Sequence, residues 1–380
     1  MAVNLRSPKY LSTSETNTAY TTLDIYIWEG DSATVTTPIY NLRKSPVSGS
    51  NFVNYEVSEL VRDYVNVSFD GDYNGYSVWY NAIIKVYNAS DVLLNTVDFG
   101  ARTALDSYSY FEEGQTFDIS NESILISNRE VFALADNIFR VPIHTANNPI
   151  VIFLKDGELV YTQSFTATTE SSTQIKYVSI LGDSTNWDNY KERVLSDGGL
   201  YEDSLCLYKA FDGFDIGAVD KIYVLDNNGM EIIKVKTVDE CKFEPKKVTF
   251  VNKFGVLQDM YFFKKSVEDL KVKRQSYKSN TRNQYDLYSV SDHTNKDFNV
   301  MGNESITLNS GYLSEAYNEV FKQLLLSEQV WLTEITATGE LVIPLNIKSS
   351  GITYKTSVND KLVDYKISFD KSFDTINNIR

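Results

Sequence analysis

The chain of 380 residues is poor in cysteine and histidine, with two of each. Cys206 and Cys241 are too few for a disulfide framework or a zinc module in a chain of this length. They are typical of buried or idle thiols in a reducing compartment. His144 and His293 lie far apart in loop-like sequence. A catalytic histidine dyad or a histidine-based metal site is therefore not expected.

Long apolar runs and common catalytic motifs are also missing. The longest apolar runs, such as Ile150–Leu154, are strand-sized, well below the ~18 residues of a membrane span. The first residues show no secretory signal pattern. The sequence contains neither a Gly-x-Ser-x-Gly nucleophile elbow nor a Gly-x-x-x-x-Gly-Lys phosphate loop. We expect a soluble, non-enzymatic protein without cofactors or membrane contact, synthesised in a cytoplasm.

Acidic and aromatic residues are abundant. Lys and Arg total 36 against 51 Asp and Glu, a net charge of −15, which argues against nonspecific DNA coating. The hydrophobic content of 42% is ample for a buried core, and the length indicates two or three domains. The 26 tyrosines are compatible with protein or sugar interfaces and equally with ordinary amphipathic strands.

The charge is unevenly distributed along the chain. Residues 1–135 carry −9, residues 136–245 carry −8, residues 246–280 carry +6, and residues 281–380 carry −4. A basic stretch inside an acidic chain indicates a pattern suited to partner contact rather than to solubility alone.

Strand patterns dominate the sequence. Apolar and polar residues alternate over 23–28 and again over 78–87, which is typical of half-buried strands. Asp156-Gly157 and the run Asp226–Gly229 each separate two strand-like segments, and a third pair flanks Asn252–Gly255. Asn and Gly supply the positive φ that hairpin turns need. The sequence therefore predicts a mainly β fold.

Helical patterns are few. The best covers Ser314–Leu326, with Ser314 as the expected cap, and shorter candidates cover Glu56–Tyr64 and Trp187–Leu195. We predict a β-sandwich-like domain over 1–135, a second β-rich domain over 136–280 and an α+β assembly domain over 281–380. The polar stretch Ser276–Gln284 is interpreted as the linker at the second boundary.

One short motif resembles part of a calcium loop. Asp70, Asp72 and Asn74 alternate before Gly75, and carboxylates so spaced can converge on a hard cation. The twelfth position should be a bidentate Glu, but it is Asn81 inside a predicted strand. An acidic hairpin turn is therefore the favoured interpretation, and calcium binding remains a weak alternative.

The basic segment is the main candidate site. Its subunit-interface candidates are the cations and the aromatic residue between 264 and 277, namely Lys264, Lys265, Lys271, Lys273, Arg274 and Tyr277. Three interpretations stay open: a solvated strand face, a docking strip for an acidic neighbour such as another copy of this chain, and a nucleic-acid track. Direct nucleic-acid binding is the least expected, because the protein is acidic overall.

Two stretches of the chain carry motifs of a known family. Thr22–Gly30 is an early strand that ends in a Trp-x-Gly turn. Val248–Gly255 contains a Phe-x-Asn-x-x-Gly hairpin, followed by a strand at Tyr261–Phe263. Each motif is short.

A third stretch is more specific because order and spacing persist over about 75 residues. It runs from Leu308–Glu315 through the predicted helix and strands at Val330–Leu332 and Leu362–Phe369 to Arg380. Together the three stretches resemble virion structural proteins of tailed phages that infect Bacteroidetes, crAss-like podoviruses among them.

The resemblance implies a non-enzymatic building block of the phage neck or tail, assembled as a homo-oligomeric ring on or below the portal, a capsid–tail connector. Twelve-fold symmetry is one arrangement for such a ring, and portal, neck or tail proteins would be its neighbours in the virion. One alternative is a receptor- or glycan-binding tail-tip or baseplate protein that uses exposed tyrosines. Another is a hydrolase of bacterial surface polymer, for which no carboxylate pair can be singled out.

Overall fold

The computed structural model describes residues 2–116, 118–134, 139–167, 169–171, 174–180, 219–227, 229–238, 242–282, 284–336, 339–349, 351, 353 and 362–376. Within these ranges the protein is mainly β, with several sheets and little helix. The predicted fold class is thereby confirmed. The helix predicted at Trp187–Leu195 and both cysteines lie outside the described residues.

Two compact units interleave along the chain. The first comprises Met1–Asp239, Thr249–Met260 and Glu319–Ser327, and the second comprises Glu240–Val248, Tyr261–Asn318 and Glu328–Arg380. Neither predicted boundary, at 135 or at 280, is a limit of these units. Position 280 lies between two paired strands of the second unit, so the stretch interpreted as a linker ends a strand and begins a hairpin loop.

The first elements of the chain form a six-stranded sheet and a small two-stranded sheet. They are β1 (Val3–Asn4), β2 (Tyr10–Ser14), β3 (Tyr20–Trp28), β4 (Tyr40–Lys44), β5 (Phe52–Glu56), α1 (Ser58–Arg62), β6 (Val78–Tyr87), β7 (Leu93–Asp98) and β8 (Arg102–Leu105). The larger sheet has the order β1-β8-β6-β3-β4, with β7 also paired to β6, while β2 pairs with β5. Helix α1 is shorter than predicted.

Period-two alternation explains the core of this sheet. On β3 and β6 one set of alternate side chains is almost fully buried, including Leu23, Ile25, Ala82 and Ile84 at 0% exposure. The β-branched and aromatic side chains on these strands suit a pleated, half-buried surface. The strands predicted from alternation are thus confirmed, with β6 and β3 antiparallel over nine residue pairs.

A second group of strands follows in the same unit. It consists of β9 (Glu130–Leu134), β10 (Phe139–His144), β11 (Ile150–Lys155), β12 (Glu158–Ser164), β13 (Ile175–Ile180), β14 (Lys221–Asp226) and β15 (Gly229–Val238). Five form a sheet of order β12-β11-β14-β15-β9, and β10 pairs with β13. The predicted hairpin at Asp156-Gly157 is confirmed, with φ of 51° and 87° at the turn, and so is the hairpin joining β14 to β15.

The remaining elements are β16 (Lys246–Val251), β17 (Leu257–Phe262), β18 (Lys264–Lys278), β19 (Asn295–Asn309), β20 (Leu313–Ser314), α2 (Tyr317–Leu326), β21 (Val330–Thr336), β22 (Gly339–Ile347), β23 (Leu362–Val363) and β24 (Lys366–Lys371). Seven of these strands form a sheet of order β17-β16-β21-β22-β24-β19-β18. The third predicted hairpin, across 252–255, is confirmed.

Helix α2 begins three residues later than the sequence predicts. Ser314 pairs with Leu362 in the short β20–β23 ladder, so its backbone is extended. It therefore does not cap the helix, and the predicted capping role is wrong. Strand pairing with a distant segment prevails here over a local capping preference.

Candidate assembly surface

The longest hairpin of the described chain carries the predicted interface residues. Strands β18 and β19 have 15 residues each, which corresponds to about 50 Å at the usual rise of a strand. They are antiparallel, and their register shifts between Lys273 and Gln275. Apolar and charged residues mix along β18, and almost every one of its side chains is exposed. We call this β18–β19 hairpin, with its loop at 279–294, the arm.

All six predicted interface residues lie on the arm. Lys264 is partly buried, whereas the other five are exposed, namely Lys265, Lys271, Lys273, Arg274 and Tyr277. They therefore lie on one strand, β18, rather than being scattered over the fold.

The first part of the basic segment belongs elsewhere. Lys247 is fully buried and Lys253 is 6% exposed. The ammonium of Lys253 pairs with Glu113, while Lys246 lies 3.4 Å from Glu334. The +6 of residues 246–280 is therefore not one surface patch, because β16 and β17 are core strands. The exposed basic charge begins only at β18.

The outer part of the arm extends beyond the sheet. In the described residues β18 pairs with β19 alone, and β24 pairs with β19 only over Ser305–Asn309. The chain after β24 still touches the arm at Gly302, whose carbonyl accepts a 2.8 Å hydrogen bond from the amide of Thr375. Beyond that point the arm is a two-stranded ribbon. Such ribbons are marginally stable in water by themselves.

Apolar side chains are exposed along this ribbon and its base. Val267, Leu270 and Val272 on β18 are 49%, 58% and 44% exposed. Further out, Tyr277 and Phe298 form an edge-to-face pair with ring centroids 5.7 Å apart, and each is about half exposed. Side chains of this kind, gathered on one projecting element, indicate a contact surface.

Charges on the arm are held in defined positions. Arg274 lies 3.1 Å from the Asp297 carboxylate, which also accepts a 2.8 Å hydrogen bond from the Ser276 hydroxyl. These contacts, that of Ser276 first and that of Arg274 next, lower the pKa of Asp297. Because both groups are largely exposed, the ion pair stabilises the ribbon only weakly.

A second charge cluster lies nearer the sheet. Proximity to the Lys348 ammonium, through a hydrogen-bond contact and like charge, lowers the pKa of Lys271. Lys348 is itself bound to Asp370 at 2.8 Å, and this contact raises the pKa of Lys348. An added anion beside Lys271 would be attracted by both ammonium groups.

The arm loop exposes apolar residues that the sequence analysis missed. They are Tyr285, Leu287, Tyr288 and Val290, with exposures of 73%, 63%, 73% and 96%. The sequence signal is a set of apolar residues spaced through the polar stretch that directly follows the predicted linker, Ser276–Gln284. His293 lies in the same loop and is exposed.

The calcium candidate forms an acidic turn. Asp70, Asp72 and Asn74 are exposed, and the Asp70 carboxylate accepts a 3.2 Å hydrogen bond from the amide of Asp72. Tyr73 between them is buried and anchors the loop. In the described ranges, no group of three or more His, Cys, Asp or Glu side chains is placed to hold a metal ion.

Tyr73 anchors the turn in a buried polar network. The Asp259 carboxylate accepts hydrogen bonds from the hydroxyls of Tyr73 and Thr249, the latter at 2.8 Å. The Arg140 guanidinium lies 4.0 Å from the centre of the Tyr73 ring. Burial and the neighbouring Asp259 raise the pKa of Tyr73 well above its usual range. With Arg140 1% and Asp259 2% exposed, this network is closed to substrate and belongs to the core.

His144 was expected in a loop, and this expectation is wrong. It ends strand β10, pairs with Ile175 across the ladder and is 1% exposed. Burial lowers its pKa to about 4, although a backbone contact at Glu122 acts in the opposite direction. The ring is therefore neutral at pH 7.

Comparison with known proteins gives no assignment, since neither the known family models nor the curated proteins include a match to the chain. In the part of the chain that the structure describes, no helix is both long and apolar enough to cross a membrane.

Proposed function

We propose that this protein is a non-enzymatic structural component of a tailed-phage virion that assembles as a ring in the neck or tail. The observation that carries the proposal is the arm, a two-stranded ribbon that contains the basic strand β18, projects beyond its sheet and exposes aliphatic and aromatic side chains. The resemblance of three sequence stretches to such virion proteins supports the same function.

The physical reason is the instability of the ribbon on its own. Ordering a residue costs about 1–2 kcal/mol of backbone entropy, and a ribbon with two open faces buries little in return. Contact with a neighbouring subunit would cover Val272, Tyr277 and Phe298 and offset that cost. Ring formation through unlike surfaces supplies such a contact for every copy.

Charge favours an acidic neighbour. Strand β18 carries six basic and two acidic residues, whereas the whole chain carries −15. Opposite charges of this kind steer association and set its orientation. Another copy of the same acidic chain meets the requirement.

The arm can be tested in the full chain. We expect purified wild-type protein to form closed oligomers in mass photometry, with rings visible by negative-stain electron microscopy. Replacing both ribbon aromatics, Tyr277→Ser with Phe298→Ser, should raise the concentration needed for assembly about tenfold. Phe52→Ser, at a side chain of similar exposure on β5, is the matched control.

Two results would contradict the proposed function. One is a wild-type chain that stays monomeric in all salts and at all concentrations. The other is absence of the protein from purified virions by mass spectrometry. If the ribbon variant assembled as well as the wild type, the arm would not be the basis of assembly.

A glycan-binding tail-tip protein is the second candidate, and the observation in its favour is the exposure of Tyr285 and Tyr288 at the end of the arm. Tyrosine rings can stack on sugars. Binding to a glycan array or to host cells, lost in the variant Tyr285→Ser with Tyr288→Ser, would favour this function. Assembly into rings without any glycan or cell binding would exclude it.

A further inference from the structure

Strand β7 is another edge among the described strands, and its chemistry is complementary to that of β18. Strand β7 pairs with β6 alone among the described strands. Its residues Leu93 and Leu94 are 50% and 40% exposed. Soluble proteins usually protect an exposed strand edge with Lys, Pro or a bulge.

The β7 edge has no Lys or Pro, although it carries Asp98 and its pairing with β6 shifts register between Val86 and Tyr87. Residues 86–101 contain two Asp but no Lys, Arg or Pro. Asp91 and Asp98, one on each side of the exposed leucines, are both exposed. The edge is therefore apolar in the middle and acidic at both ends, as a partner of a basic strand should be.

We propose that β18 of one copy adds to the β7 edge of the next copy, joining two sheets across the subunit boundary. This inference rests on the proposed function and names the surface and the partner that would build the ring. Backbone hydrogen bonding between two open edges would provide the attraction, and the side chains would set the register.

One register matches apolar and charged residues together. In a parallel alignment that places Leu94 beside Leu270, Thr96 lies beside Val272 and Asp98 beside Arg274. These residues occupy alternate positions on each strand, so each set faces one side of the joined sheet. On this face the register gives one apolar pair, one mixed pair of β-branched residues and one ion pair, whereas on the other face it sets Leu93 beside Asp269.

The β4 edge of the same sheet is a poor alternative. Strand β4 ends that sheet and carries Arg43 and Lys44. These charges would repel Lys271, Lys273 and Arg274 on β18. Charge thus favours β7 over β4, and the contact is heterologous, because β18 and β7 are different surfaces of one chain. Contacts of this type close into rings when the rotation permits.

Complementary charge substitutions test this contact in the full-length protein. Thr96→Lys places a cation on β7 beside the basic strand, and Val272→Glu places an anion on β18 near Asp98. Each variant alone should raise the concentration for half-assembly about tenfold, measured by sedimentation velocity or mass photometry. An equimolar mixture of the two chains should recover to within about threefold of the wild type, because the new cation of one chain then meets the new anion of the other.

The chain carrying both changes should also recover, since every interface then contains the new pair. Thr36→Lys and Val47→Glu place the same charges on exposed residues away from both strands and should assemble like the wild type. Circular dichroism and thermal melting confirm that each variant is folded.

Wild-type assembly by folded T96K or V272E, or failure of the mixture to recover, would overturn the β18–β7 contact and leave the proposed function standing. A wild-type chain that never assembles and is absent from virions would overturn the proposed function itself.

Discussion

At the scale of single residues, the notable feature is a set of ionisable groups inside a β core. His144 and Arg140 lie on the same strand, β10, and each is 1% exposed. The cost of burying them differs, because the guanidinium stays charged whereas the imidazole is held neutral. The histidine therefore couples the stability of the fold to pH.

His144 should make the protein less stable in mild acid. Its folded pKa is about 4 against an ordinary 6.5, so its stabilising contribution is complete above pH 6.5 and is lost as pH falls towards 4. The loss should reach about 3 kcal/mol. Urea unfolding at pH 7, 5.5 and 4.5 measures it. His144→Gln should flatten this part of the profile, while exposed His293→Gln should not. Parallel profiles for wild type and His144→Gln would contradict the assignment.

At the scale of elements, the Asn252–Gly255 turn between β16 and β17 is closely specified. The Asn252 side-chain oxygen accepts a 2.9 Å hydrogen bond from the amide of Phe254, and its amide group donates to the Leu125 carbonyl at 2.6 Å. Gly255 has a φ of 73°. A Cβ at that position would lie 2.7 Å from the carbonyl carbon of Asp106. Glycine at position 255 thus allows both the turn conformation and the close approach of the Asp106 backbone.

Gly255→Ala should lower the free energy of unfolding by about 3 kcal/mol, since left-handed strain and a backbone clash add together. Gly49→Ala is the matched control, because Gly49 has a φ of 84° and nothing within 4 Å of an added Cβ. Gly49→Ala introduces the left-handed strain without the clash, so it should lower the free energy of unfolding by about 1 kcal/mol. Urea titration at pH 7 measures both. Equal losses in the two variants would show that the approach to Asp106 does not matter.

At the scale of the whole molecule, the fold, and not the position along the chain, determines which charged side chains are exposed. The basic segment 246–280 divides into core strands with buried lysines and the exposed strand β18. The exposed positive charge of this segment therefore lies on β18, in a molecule of net charge −15. Association driven by such a surface depends on ionic strength.

Assembly should weaken as salt rises. Between about 0.05 and about 0.5 M NaCl the screening length falls severalfold, so the concentration for half-assembly should rise about tenfold. The paired change Lys265→Glu with Lys273→Glu should weaken assembly at low salt and remove most of this dependence. Lys234→Glu, at an exposed lysine on β15, should change neither. Sedimentation velocity across the salt series measures it, and salt-independent wild-type assembly would argue against an electrostatic arm contact.

Features of the fold that depend on neighbouring residues could be predicted from the sequence, whereas features that depend on distant segments could not. Alternation over 23–28 and 78–87 placed β3 and β6, and Asp156-Gly157 placed a hairpin, because these signals are contained in a few neighbouring residues. Ser314 failed as a cap and His144 failed as a loop residue because distant strands pair with them. The interleaved units could not be predicted, since local patterns do not record which distant segments pack together.

The sequence by itself determined that this protein is mainly β and that its positive charge is concentrated near 264–278, because both follow from residue types and their spacing. Only the tertiary structure decided which of those cations are exposed and that they lie on a strand projecting beyond its sheet. The physical reason is that burial and strand edges are properties of pairing between distant segments. A lysine on β16 and one on β18 look alike in the sequence, yet one is enclosed by neighbouring strands and the other faces solvent.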